Sequence, residues 1–123
     1  MEEKDWFDQA EADFRTANNS FLSKDYYASV FWSQQSIEKC LKAIIIKESK
    51  KLVKIHDVIL LGKMANLPLD LLNKIKLLSG VYVETRYGIS GAGTLPFKKF
   101  KEKDASEFLN ISKEVLEWSR KKI

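Results

Sequence analysis

Residues 26–49, YYASVFWSQQSIEKCLKAIIIKES, decide the fold. No Gly or Pro interrupts them, and Tyr27, Val30, Phe31, Ile37, Leu41, Ile44 and Ile45 return at intervals that line one side of a helix. The pattern predicts a long helix from Tyr26 to about Ser49 with those seven residues on its buried face, and Asp25 suits its N-cap. Cys40 falls between Ile37 and Ile44 and reads as a small buried hydrophobe. A polar insertion, SQQSIEK, breaks the apolar run. Gln34 lies three residues after Phe31 and three before Ile37, close to the buried face, and Gln34, Glu38 and Lys42 are successive i,i+4 neighbours. Glu38 before Lys42 is the favourable order for a helical ion pair. Two readings follow: a surface ion pair beside one satisfied core amide, or a polar seam facing Arg86 and His56 that forms a groove for a nucleotide or RNA.

Outward from this helix the periodicity stays helical. Upstream, Trp6, Ala10, Phe14, Ala17 and Phe21 step by four, four, three and four, a single apolar stripe on a helix ending near Ser23. The short link to Tyr26 suits antiparallel neighbours. Downstream, KESKKLVK at 47–54 is too polar for core and reads as helix end plus loop. A short helix from Asp57 to about Ala65 is expected, with Asp57 as its cap and His56 just outside. Pro68 bounds a fourth helix, about Leu69 to Thr85, with Leu71, Ile75, Leu78 and Tyr82 as its stripe. GISGAGTLPF at 88–97 is the one Gly-rich run and reads as a mobile loop. Asp104 is expected to open a last helix with Phe108, Ile111, Val115 and Trp118 as its core face, and Arg120, Lys121 and Lys122 at its end suit the helix dipole. With no strand signal and no repeat, the expectation is all-α: an up-and-down bundle of about five helices in one domain, residues 1–123.

Composition bounds the chemistry. The one Cys and one His exclude an internal disulfide framework, a Cys-based zinc cluster and a two-His metal site within one chain. No metal site and no cofactor are therefore expected, and any histidine chemistry uses His56. There is no apolar run of membrane-spanning length and no apolar signal core in the acidic N-terminal stretch. The expectation is a soluble cytoplasmic protein without membrane contact. The net charge of +4 is unevenly spread. Residues 1–38 hold 3 basic and 8 acidic side chains (−5), residues 39–94 hold 10 and 4 (+6), and residues 95–123 hold 8 and 5 (+3). An acidic first third does not suit a general nucleic-acid coat, but the basic remainder could form a local patch for phosphates or an acidic partner. Lys-rich solvated helix faces account for the same lysines.

Arg86 is the most informative single residue. If the fourth helix runs one turn further, Arg86 follows Tyr82 by four and lies on the apolar stripe, where a cation needs partners. It either pairs with a carboxylate such as Glu38 or serves a phosphate, which guanidinium binds bidentately. Tyr87 beside it could stack or donate a hydrogen bond, and Trp32 and Tyr26 serve either as stacking surfaces for bases or in core packing or a dimer contact. His56 titrates near about 6.5 when unperturbed and is a candidate general base, a cap or a packing residue. The glycine run matches no phosphate-binding fingerprint, since no strand precedes it and no Gly-Lys-Ser/Thr follows.

Taken together, WFDQAEADFRTA at 6–17, YYASVFWSQQSIEKCLKAIII at 26–46, IHDV at 55–58 and TRYG at 85–88 resemble the HEPN domain over nearly the whole chain. The resemblance implies a bundle of about five helices, often homodimeric, linked to nucleotides or RNA. Small members are commonly encoded beside a minimal nucleotidyltransferase and act with it as a two-component or toxin–antitoxin system. Several are metal-independent ribonucleases that use an Arg followed four to six residues later by a His at the dimer cleft. Here Arg86 matches the family's Arg-Tyr position, but YGISGAG follows it without a His, and Gly88 replaces the family's common Pro. The resemblance therefore assigns Arg86 and Tyr87 to the ligand site and His56 and Asp57 to a family His-Asp pair, and it leaves the nuclease motif incomplete. Gln34, Glu38 and Lys42 complete the candidate set from the residue reading. The leading expectation is a homodimeric nucleotide- or RNA-phosphate-binding partner of a nucleotidyltransferase. The alternatives are a ribonuclease toxin using Arg86, with or without His56, and a purely structural helical interaction protein.

Overall fold

The computed structural model describes the backbone of residues 2–87 and 96–123 and the side chains of residues 2–78 and 98–123. Six helical segments follow one another among the described residues: α1 Glu3–Leu22, α2 Tyr26–Ser49, α3 Val58–Met64, α4 Leu69–Tyr87, the single turn α5 Pro96–Lys99, and α6 Glu102–Lys122. Of the run 88–97 read above as a loop, residues 88–95 lie outside the described residues, and Pro96 and Phe97 begin α5 instead.

Local sequence sets the helix ends. At α1 the Glu2 amide donates to the Asp5 carboxylate at 3.1 Å, and at α6 the Lys101 amide donates to Asp104 at 2.9 Å. Asp104 therefore sits in the first turn of α6 rather than before it, where its charge faces the helix's positive end. Asp57 caps α3 as expected, accepting from the amides of Ile59 at 3.0 Å and Leu60 at 3.3 Å. Asp25 does occupy the N-cap of α2, but its side chain caps no amide. The tight α1–α2 turn comes from the end of α1 instead. Lys24 takes φ 64°, and the Asp25 amide reaches back to the Ser20 carbonyl at 2.8 Å while the Lys24 amide reaches Phe21 at 3.0 Å, a Schellman closure. The same device ends α3, with Asn66 at φ 57° and the Leu67 amide on the Gly62 carbonyl at 2.9 Å, just ahead of Pro68.

Helix α2 is the hub, packed by α1, α3 and α6. From Ile37 to Ile46 every residue of α2 except Lys39 is buried. The main core gathers Phe7 and Ala10 of α1, Ile37, Leu41 and Ile44 of α2, Leu61 of α3, Leu72 and Ile75 of α4, and Val115 of α6. A smaller cluster of Val30, Phe100, Ala105 and Phe108 lies beside it, with Phe100 edge-on to Phe108 at 6.2 Å. Gly62 lets α3 sit against α4, since a Cβ there would meet the end of Leu72 at 2.9 Å.

The expected faces of α1 and α6 hold. The face assigned to the start of α2 holds at Val30 but not at its aromatics: Tyr27 is 41% and Phe31 37% exposed, while Ser29, Ser33 and Ser36 are buried. Small side chains let α2 approach its neighbours closely, and the Ser36 hydroxyl donates across to the Ala10 carbonyl of α1 at 2.8 Å. The aromatic pair is turned outward, with Phe31 edge-on to Trp32. No described helix is long and apolar enough to cross a membrane.

Candidate functional site

Glu38 is the pivot of the site. It leaves α2 one residue after buried Ile37, and 10% of its side chain is exposed. Lys42, one turn on, is 5% exposed and places its ammonium 3.3 Å from the Glu38 carboxylate. The i,i+4 pair expected from spacing is thus a buried one. Trp6 of α1 covers it, its ring centroid 5.5 Å from the Lys42 nitrogen. Desolvating either charge alone is expensive, so each needs the other.

The second contact of Glu38 reaches out of the helix. His56 Nδ1 lies 3.1 Å from Glu38 Oε2. The His56 side chain is 76% exposed, so a solvent-facing ring is held from behind by a buried carboxylate. An ionised carboxylate only accepts hydrogen bonds, so this contact selects the imidazole form with its proton on Nδ1. Nε2 then faces outward. It presents a lone pair when the ring is neutral and an N–H donor when the ring is protonated. Two anchors fix the ring's backbone. Val53 and Ile55 pack on the core before it, and the Asp57 cap opens α3 after it.

Of the sequence-predicted residues, the structure brings together Glu38, Lys42 and His56, with Asp57 adjacent in chain. Asp57's carboxylate is engaged by the α3 amides. Gln34 is buried one turn before Glu38. Helix α4 does run through Arg86 and Tyr87, the extra turn on which the Arg86 argument depends, but the side chains of both lie outside the described residues. Among the described residues, the partners of Glu38 are Lys42 and His56.

Two features escaped the sequence reading. Asp13 is 2% exposed and is held by the Lys39 ammonium and by the Gln9 amide at 2.9 Å. The Gln9–Asp13 spacing of four was its available signal; the Lys39 contact joins residues 26 apart. The Trp6 cover over Lys42 is likewise a tertiary contact. Cys40, as expected, is buried, and desolvation pushes its thiol up to about 12. A groove of about 240 Å³ between α1 and α6, with Phe14 and Leu116 in its lining and the Glu11–Arg120 ion pair at its rim, contains none of the candidate residues. No group of three or more metal-ligating side chains occurs among the described residues.

Two solved structures share the fold. TT1696 from Thermus thermophilus is 26% identical, superposes with a TM-score of 0.84 and is covered over 98% of each chain. ST0689, an archaeal HEPN homologue, is 27% identical with a TM-score of 0.81, over 99% of this chain and 98% of that one. A search of curated proteins finds no match. The HEPN domain pattern matches residues 3–123, so the helices that build the Glu38–His56 pair lie within it, and the chain belongs to the HEPN domain family.

Proposed function

We propose that this protein is a nucleotide- or RNA-phosphate-binding module that acts as a homodimer and as the partner of a minimal nucleotidyltransferase, in a two-component system of toxin–antitoxin type. The observation that carries the reading is the exposed His56 ring anchored on buried Glu38. A ring fixed by the carboxylate behind it donates to a phosphate oxygen without first losing side-chain freedom. Lys50, Lys51 and Lys54 lie exposed on the segment leading to His56 and add positive charge. Arg86 is the second phosphate ligand in this proposal, supplied by α4.

The test is titration calorimetry with AMP, ATP and a short single-stranded RNA, alongside light scattering for the dimer. Losing one hydrogen bond to a charged group weakens binding by roughly tenfold or more, so His56→Ala and Arg86→Ala should each do so. No heat with any of the three ligands, or affinities untouched by both substitutions, would overturn the reading.

The Glu38–His56 contact also favours a second reading, RNA cleavage, because a carboxylate-oriented imidazole is an acid–base group. In that case His56 exchanges a proton with the ribose 2′-hydroxyl and Arg86 offsets the phosphate charge. Cleavage of single-stranded RNA that persists at full rate in both His56→Ala and Arg86→Ala would refute it.

A further inference from the structure

Between α2 and α3 the chain runs from residue 51 to residue 57 without a turn or bend. Its side chains alternate. Val53 and Ile55 are half-buried and pack on the main core, while Leu52, Lys54 and His56 are exposed. Period-two alternation against a core is the habit of a β-strand, yet among the described residues there is no strand to pair with it. Among the described residues, no main-chain amide or carbonyl of residues 52–56 is hydrogen-bonded; the nearest bonds are the Lys51 amide to Ser49 Oγ at 3.2 Å and those of the Asp57 cap. In an extended chain the amide and carbonyl of alternate residues share an edge. Leu52, Lys54 and His56 therefore carry one row of main-chain groups along a common edge, none of them paired among the described residues. The segment is held in place at both ends, by the left-handed Lys50 (φ 61°) that closes α2 and by Asp57.

We infer that residues 52–56 form a docking edge that takes an extended, acidic peptide segment of another protein as an added strand. Main-chain pairing supplies the attraction and the lysines select the partner. Lys4, Lys39, Lys42, Lys74 and Arg120 all have carboxylate partners, whereas Lys50, Lys51 and Lys54 have none among the described residues. Those three charges stand along the edge and are available to an incoming strand of opposite sign. They also rule against a second copy of the same segment, because self-pairing would set lysines against lysines, and like charges opposite one another destabilise a strand pair. The inference shares Lys50, Lys51 and Lys54 with the phosphate-site reading, but it rests on main-chain groups that a nucleotide phosphate at His56 Nε2 leaves unused.

The probe is an N-acetylated peptide of alternating Glu and Val, read by calorimetry and by amide hydrogen exchange over residues 51–57. In the free protein these amides should exchange as fast as an unstructured chain, and saturation with the peptide should slow those along the paired edge. The same peptide N-methylated at alternate residues cannot form the ladder and should bind at least about tenfold more weakly, as expected when two or more hydrogen bonds are lost. Lys54→Pro removes an amide that has no partner in the chain and should abolish binding with helicity unchanged. Lys54→Glu, which keeps the amide, should weaken binding and restore it for a Lys–Val peptide. Equal binding of the N-methylated peptide, no slowing of exchange at saturation, or no binding at millimolar peptide would overturn the inference. So would AMP slowing the same amides as strongly as the peptide does, which would make the edge a phosphate contact; failure of AMP to bind at all would count only against the phosphate site.

Discussion

Glu38 places its carboxylate where little of it meets water, with the Lys42 ammonium at 3.3 Å and His56 Nδ1 at 3.1 Å against it. Removing one member of a buried pair leaves the other charge stranded, at about 3–5 kcal/mol. Glu38→Leu should therefore lower unfolding stability by about that much in urea denaturation. The double variant Glu38→Leu/Lys42→Met should recover most of the loss, because replacing a buried pair by apolar groups of similar volume is often neutral. Equal losses in the single and double variants would mean the pair is not what holds the site. Cys40 gives a second prediction at this scale. Burial raises its thiol from an ordinary 9.0 to about 12 in the folded chain. Between those values the unfolded chain has lost its proton and the folded chain keeps it, so stability falls as pH rises from about 9 towards about 12. The urea midpoint of the native protein should drop more between pH 8 and pH 10.5 than that of Cys40→Ala. The thiol should also resist iodoacetamide at pH 8 until the protein unfolds, since the thiolate is the nucleophile.

At the scale of the element, α1 and α6 were legible from sequence because each buries one face, and a single period of 3.6 then describes it. Helix α2 was legible in its bounds but not in its faces. It has neighbours on three sides, so its burial is nearly continuous from Ile37 to Ile46. Over its first three turns Ser29, Ser33 and Ser36, which a hydrophobicity pattern scores as surface, are buried beside Val30, and the conspicuous Tyr27 and Phe31 face out. Size decided this, not polarity, since only small residues allow α1 to approach to the distance of the Ser36–Ala10 bond. The candidate site was partly legible for a related reason. The Glu38–Lys42 spacing is local and visible, whereas the Glu38–His56 contact spans 18 residues through a linker whose path no periodicity encodes. The close α1–α2 approach makes a prediction of its own. Ala17 of α1 is fully buried. Ala17→Leu should force the helices apart and cost about 1–3 kcal/mol, while Ala12→Leu, on the half-exposed side of α1, should cost far less. Similar urea midpoints for the two variants would show that the interface is not tightly packed.

The whole molecule separates its charge along the chain, with residues 1–38 at −5 and residues 39–94 at +6. The fold does not mix the two evenly. The α1 acids Asp8, Glu11 and Asp13 are taken up by Lys4, Arg120 and Lys39, and the linker lysines beside His56 keep their charge for solvent. A polyanion at this end would displace its own counterions as Lys50, Lys51, Lys54 and His56 contact its phosphates. For single strands the logarithm of affinity falls with the logarithm of salt at about 0.7 per phosphate contact, so three to four contacts predict roughly a 20- to 50-fold loss between 50 and 200 mM salt. Replacing Lys51 and Lys54 together by Gln should flatten that slope by about 1.4 and leave the helix content alone. Fluorescence anisotropy of a labelled single-stranded RNA across that salt range measures both slopes. An RNA affinity indifferent to salt, or a slope unchanged in the double variant, would move the binding surface away from the α2–α3 linker and take the phosphate reading of His56 with it.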